Sequence, residues 1–185
     1  MNPAVAGVAL DRVGRDGRLD LVFERRQGRT VLVRCGYTLP LQVLGPVALD
    51  DSAAVVSMLN PTGGLVGGDR LAIDVTVGAG AHACLTTPSA TKVYRTAGAP
   101  AEQHVALRVG RGALVEWVPD HTIPFSGASL RQAIDVELAD TASLVLVDTW
   151  AAGRVARGEA WQFARLESTL SIRDPRGLVL HDRFV

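Results

Sequence analysis

Apolar and polar side chains alternate along Leu71-Ala72-Ile73-Asp74-Val75-Thr76-Val77, the period that places every second side chain on one face of a sheet. The pattern predicts a strand with one buried face. Similar alternation runs over Leu19 to Phe23, Thr30 to Arg34, His104 to Val109, Ile134 to Leu138, Ser143 to Val147 and Leu166 to Ile172, most of them Val- or Leu-rich and bounded by Gly, Pro or Asp. The chain closes on another apolar strand pattern, Leu178 to Val185, with no polar tail after it. Helical periodicity is sparse. Short helical turns are predicted over Pro88 to Tyr94 and between Trp150 and Arg157.

Three turn segments look alike: Val77-Gly78-Ala79-Gly80-Ala81, Val109-Gly110-Arg111-Gly112-Ala113 and Leu138-Ala139-Asp140-Thr141-Ala142. They recur after 32 and 29 residues, each between an alternating strand and a more continuously apolar one. Val13 to Arg18 and Ile172 to Gly177 resemble the same device at the two ends. Glycine supplies the positive φ that tight hairpins demand, so the repeated unit reads most simply as a β-hairpin. The expected fold is all-β: layered or solenoid-like stacked β-hairpins with one or two short helices, residues 1–185 forming a single domain. An ordinary antiparallel sandwich fits the same pattern.

Composition narrows the class. At 185 residues, 48% hydrophobic and 21% charged, the chain is long enough for one core and unlike a disordered chain. Nineteen basic residues balance nineteen acidic ones, so no electrostatic excess drives binding to nucleic acid or an anionic membrane. Lys92 is the only lysine, and cationic contacts are therefore mostly of the planar, bidentate arginine kind. Cys35 and Cys84 fall in no CxxC pattern, which indicates neither a disulfide framework nor a zinc cluster and fits a reducing cytoplasm. Met1 to Leu10 lacks a basic flank and does not read as a secretory signal. No apolar run reaches the length of a spanning helix. A soluble, cytoplasmic protein is expected.

Candidate chemistry gathers in four segments. Asn60-Pro61-Thr62-Gly63-Gly64-Leu65-Val66-Gly67-Gly68-Asp69-Arg70 carries two glycine pairs before a strand, but a phosphate cradle places Lys and a hydroxyl after its last glycine, where Asp69 stands. A structural turn that aims Asp69 and Arg70 is the better reading. Thr86-Thr87-Pro88-Ser89-Ala90-Thr91-Lys92-Val93-Tyr94-Arg95 is either a polar binding loop or a plain capped connection. Glu116 to Phe125 holds a carboxylate within an apolar strand and an Asp120-His121 pair between prolines. Adjacent residues of a continuous strand face opposite ways, so that pair makes a poor dyad if the strand continues through it, and no Ser or Cys nucleophile is paired with it by spacing. Gly153-Arg154-Val155-Ala156-Arg157-Gly158-Glu159 brackets two arginines and a carboxylate with glycines. His82, His104, His121 and His181 with Asp69, Glu116, Asp120, Asp148 and Glu159 supply ligands suited to divalent ions such as nickel, yet no His-x-His spacing gathers them.

Taken in order, these segments resemble the urease accessory protein D (UreD) family. The family's Asn-Pro-x-Gly-Gly-x-x-Gly-Gly-Asp stretch stands as Asn60 to Asp69, including Gly63, Gly64, Gly67 and Gly68. Thr-Thr-x-x-Ala-Thr-Lys-x-Tyr-Arg stands as Thr86 to Arg95, including Thr87, Lys92 and Tyr94. Glu-Trp-x-Pro-Asp-x-x-Ile-Pro-Phe stands as Glu116 to Phe125, and Gly-Arg-x-x-x-Gly-Glu as Gly153 to Glu159. Four separated motifs in the right order are hard to produce by chance. The resemblance implies an all-β, helix-poor fold and a maturation role in place of catalysis. It implies binding to the urease apoprotein, recruitment of the GTPase accessory protein UreG through UreF, and a water-filled internal route for nickel, with no tightly bound cofactor and only transient Ni(II). It also implies that a C-terminal portion found in longer family members is lacking here. Asp69, Glu116, Asp120 and Glu159, the acidic members of the matched motifs, are expected to line or flank the ion path, with Arg70, Arg95, Arg154 and Arg157 positioning them or touching partners. A plain β-rich adaptor without an ion-guiding role, or an unrecognised hydrolase, are the alternatives.

Overall fold

The computed structural model describes residues 15–48 and 52–185. The reading of Met1 to Leu10 and the start of the Val13 to Arg18 turn lie outside these residues. Fourteen strands follow in chain order: β1 (Asp16–Arg26), β2 (Arg29–Thr38), β3 (Gln42–Ala48), β4 (Ala54–Leu59), β5 (Arg70–Val77), β6 (His82–Thr86), β7 (Thr91–Val93), β8 (Ala101–Val109), β9 (Leu114–Val118), β10 (Thr122–Pro124), β11 (Ser129–Leu138), β12 (Ser143–Leu146), β13 (Arg165–Asp174) and β14 (Gly177–Phe184). One 3-10 turn, Val155–Arg157, is the only helical element among the described residues.

The strands make three sides. A seven-stranded sheet runs β14-β13-β11-β8-β5-β1-β2, and a five-stranded sheet runs β12-β9-β6-β4-β3. The third side is the short β7/β10 pair, extended by single parallel bridges from Leu65 to Val93 and from Thr122 to Trp150. Strands β1, β5, β8, β11 and β13 are mutually parallel, as are β4, β6, β9 and β12. The chain therefore winds from the five-stranded sheet across the third side to the seven-stranded sheet, then turns back to start the next coil.

The layered, solenoid-like all-β fold is as expected, but its repeated unit is a parallel coil and not a hairpin. The three look-alike turns, two with glycine and the third with Thr141 at positive φ, carry β5 to β6, β8 to β9 and β11 to β12, crossing from one sheet to the other. They stack on one another: Gly110 N donates to Val77 O at 2.7 Å and Ala139 N to Val109 O at 2.8 Å. An added Cβ on Gly110 would lie 2.8 Å from Ala79 N, so the close stacking of corners requires glycine there. Ile172 to Gly177 does form a true hairpin, with Asp174 opposite Gly177 between β13 and β14. Parallel pairing also excludes the antiparallel sandwich.

Inward side chains form ladders across the coils. Leu21, Val75, Leu107, Val136 and Ile172 stand in register on the seven-stranded sheet. Val56, Leu85, Trp117 and Leu146 face them from the five-stranded sheet. Leu21, Val56, Val75 and Leu85 are fully buried, and each such aliphatic side chain contributes roughly 1.5–3 kcal/mol on leaving water. The outer face of the seven-stranded sheet is laced instead with ion pairs, among them Arg18–Asp74 (3.3 Å), Arg34–Asp20 (2.9 Å) and Arg131–Glu102 (3.1 Å).

Two predicted turns resolve differently. Pro88 to Tyr94 is not helical, because its Thr91–Val93 part extends as β7 beside β10. Trp150 to Arg157 contains the 3-10 turn at its end, closed by Gly158 in the left-handed region.

Candidate functional site

The first three motifs build one corner of the prism, beside the short third side. Asn60 opens it with a side-chain turn, its Oδ1 accepting from Thr62 N (3.1 Å) and Thr62 Oγ1 (2.6 Å). Leu65 N then donates to Lys92 O at 2.8 Å and Tyr94 N to Leu65 O at 2.9 Å, locking the glycine loop onto β7. Gly64 sits so close that a Cβ would meet Lys92 O at 2.4 Å, and one on Gly67 would meet Thr96 Cγ2 at 2.7 Å. Gly63 and Gly68 both take positive φ. The glycine pairs are thus a packing device. Asp69 is buried and commits both carboxylate oxygens to backbone amides, Oδ1 to Arg15 N and Oδ2 to Val66 N, each at 2.9 Å. Arg70 reaches Glu102 at 3.5 Å on the outer face.

The hydroxyls of the second motif tie successive coils. Thr86 Oγ1 donates to Val118 O at 3.0 Å, and Thr87 Oγ1 accepts from Asp120 N at 2.9 Å. Tyr94 stacks edge-on against Phe125, ring centroids 5.3 Å apart, and its hydroxyl donates to Gly63 O at 3.3 Å. The chain breaks strand geometry between β9 and β10, which brings Asp120 Oδ1 within 2.6 Å of His121 Nδ1. Strand alternation does not apply there, so the pair that spacing disfavoured is formed. The His121 backbone N–H, and then its ring, hold the Asp120 carboxyl below the usual aspartate range.

Inside the corner lies a cavity of about 140 Å³. Thr87, Pro88, Ser89 and Asp120 stand at one part of its lining, Leu71, Ile73 and Trp117 at another. Its polar floor is a ladder that sequence reading missed. Gln103 on β8 donates to Gln132 Oε1 on β11 at 3.3 Å, and Gln132 Nε2 donates to Asp148 Oδ2 at 2.9 Å and to Ser168 Oγ at 3.3 Å. Trp150 Nε1 also donates to Asp148 Oδ2, at 3.1 Å. Asp148 Oδ1 has no hydrogen bond among the described residues. The available signal was a Gln at an inward position of two adjacent strands, where the alternation calls for apolar residues.

Of the four expected path acids, the structure brings only Asp120 to the cavity wall. Glu116 points outward from the five-stranded sheet and pairs with His82 Nε2 at 2.5 Å. Beside it, burial first and the Glu116 charge second push the Cys84 thiol up. Glu159 lies in a separate surface hollow with Tyr94, Arg95, Phe125 and Arg154. There Arg154 forks onto it, Nε to Oε2 at 2.8 Å and Nη2 to Oε1 at 2.6 Å, and this hydrogen bonding holds its carboxyl below the usual glutamate range. The Arg154 guanidinium also lies 4.1 Å over the Phe125 ring. Arg157 is exposed, and Lys92 lines the cavity.

No three His, Cys, Asp or Glu side chains among the described residues are grouped to hold a metal ion. One Ser–His contact exists that spacing did not reveal, Ser171 Oγ to His181 Nδ1 at 3.1 Å across the β13/β14 hairpin. Ser171 is buried, and no carboxylate hydrogen-bonds the His181 ring among the described residues. Both cysteines are free thiols, and no helix among the described residues is long and apolar enough to cross a membrane.

Fold and site together define a parallel β-coil protein whose motif residues mostly build one corner and its cavity. The family model described as UreD urease accessory protein matches residues 15–185, and the chain belongs to this family. Proteins named urease accessory protein UreD are similar to it. That of Delftia acidovorans is 41% identical over 172 residues, covering 92% of this chain and 55% of the relative. Those of Sorangium cellulosum (44% over 170 residues, 91% and 54%) and Deinococcus radiodurans (39% over 177 residues, 95% and 64%) follow the same pattern. The chain spans between 54% and 64% of the length of these relatives.

Proposed function

We propose that this chain works in urease maturation as a non-enzymatic scaffold that binds the urease apoprotein, recruits UreG through UreF and helps pass nickel toward the urease active site. The observation that carries the nickel part is the corner cavity, whose lining includes two carboxylates, Asp120 and Asp148, with no group of three ligating side chains among the described residues. An ion in transit needs ligands that admit it and also release it. A closed cage of His and Cys would hold nickel tightly, as its place high in the divalent affinity order requires. Carboxylates that are not gathered into a closed ligand cage suit passage. Asp69, Glu116 and Glu159 take supporting roles in this reading, bracing the corner, the five-stranded sheet and the Arg154 hollow respectively.

A second reading, an adaptor with no ion-guiding role, is favoured by one observation: three of the four motif acids are engaged away from the cavity. Co-expression of this chain with urease, UreF and UreG separates the two. Under the proposal, Asp120→Asn and Asp148→Asn keep the chain in the complex and lower the nickel bound per urease. Full nickel loading with both variants would favour the adaptor. No complex and no activation with the unsubstituted chain would refute the maturation role itself.

A further inference from the structure

The segment between Trp150 and β13 stands apart from the cavity, and its chemistry is that of a contact surface. Two arginines, Arg154 and Arg157, share it with a single carboxylate, Glu159. Glu159 is already taken by the Arg154 fork. Arg157 adds a Coulombic pull on Glu159 but, like the neighbouring Arg95, has no carboxylate within ion-pair distance among the described residues, in contrast to the paired charges covering the seven-stranded sheet. In the same loop Trp161 is 71% exposed and Val155 62% exposed. Trp161 takes φ +59, a left-handed conformation that bulky residues rarely adopt. It is held there by its own N–H donating to Ala152 O at 2.6 Å and by edge contact with Phe163, centroids 6.2 Å apart. The base beneath is firm: Arg154 is clamped between Glu159 and the Phe125 ring, and Gly127 N donates to Gln162 O at 2.8 Å. Backbone strain of this kind persists where surrounding structure enforces it. A large exposed indole on the same segment as the exposed Arg157 matches the Trp and Arg anchors that dominate binding energy at protein interfaces.

We propose that this loop is a docking surface for an acidic segment of a partner protein, one that offers an apolar pocket to Trp161 and carboxylates to Arg157 and Arg95. Charge sets the choice of occupant, since the surplus cations call for a negative partner. The proposal rests on the maturation reading above, and the test keeps the two apart. The purified chain is titrated against two probes, urease apoprotein and UreF, at low and at physiological salt, with Trp161→Ala, Trp161→Phe and Arg157→Glu beside it. Expected is a loss of about tenfold or more in affinity for one probe with Trp161→Ala, partial rescue by Trp161→Phe, and a similar loss with Arg157→Glu. The salt dependence should weaken in the Arg157→Glu variant. Unchanged melting temperatures exclude misfolding, because both side chains are exposed. Binding of the unsubstituted chain with unchanged affinity in all three variants would overturn the docking surface and leave the maturation reading standing. Failure of the unsubstituted chain to bind either probe would overturn both. Variants that altered only self-association, read by light scattering, would assign the loop to a second copy and overturn the acidic partner.

Discussion

At Gly64 an added Cβ would lie 2.4 Å from the Lys92 carbonyl oxygen, whereas at Gly28 it would meet nothing within 4 Å, although both residues have positive φ. Gly28→Ala therefore costs only backbone strain, about 1 kcal/mol. Gly64→Ala adds overpacking against β7 of about 1–3 kcal/mol and should show the larger drop in urea midpoint. Equal losses would contradict the packing role. Glu159 gives a pH-dependent counterpart. Its carboxyl is held below the usual glutamate range chiefly by Arg154, so its contribution to stability is present above the unfolded-state value and lost as pH falls through the lower folded-state value. Unfolding of Glu159→Gln should differ from the unsubstituted chain near neutral pH, and the difference should shrink in strong acid. A constant difference across that range would remove the ion pair as its cause. The motif residues were legible in sequence as types and positions. Their partners were not, because Asp69 meets Arg15 across 54 positions and Asp120 meets His121 only through a local break in the strand.

Strand existence followed from period-two alternation because one buried face imposes it, as in Arg70–Val77, whose burial alternates at every position. Strand partners did not follow. A glycine-bearing turn serves a tight hairpin and a stacked corner equally well, and only the pairing of Val75 with Leu107 and Leu107 with Val136 distinguishes a coil. β7 and β10 were invisible because three residues are too few to show a period; pairing with the next coil overrides their local preferences. The ladder makes an element-level prediction. Leu107→Ala, in the middle of the stacked column, should cost about 2–5 kcal/mol in denaturant unfolding. Val145→Ala, on the 45% exposed outer face of β12, should cost under about 1 kcal/mol. Similar costs at the two sites would argue against the inward and outward assignment.

Across the whole molecule, the coils bring the first three sequence-distant motifs to one corner, where the cavity lies, while the fourth borders a separate hollow with Tyr94, Arg95 and Phe125. No single segment encodes the cavity: Gln103, Gln132 and Asp148 come from three successive coils and meet only because their strands and corners are in register. Membership of the UreD family explains why the four motifs occur together, and the cavity suggests a physical use for the first three. The most direct test of that use is the nickel content of urease matured in cells with this chain, UreF and UreG, comparing the unsubstituted chain with an Asp120→Asn, Asp148→Asn double variant that still enters the complex. The account predicts urease depleted of nickel in the double variant; urease loaded to the same level as with the unsubstituted chain would contradict it.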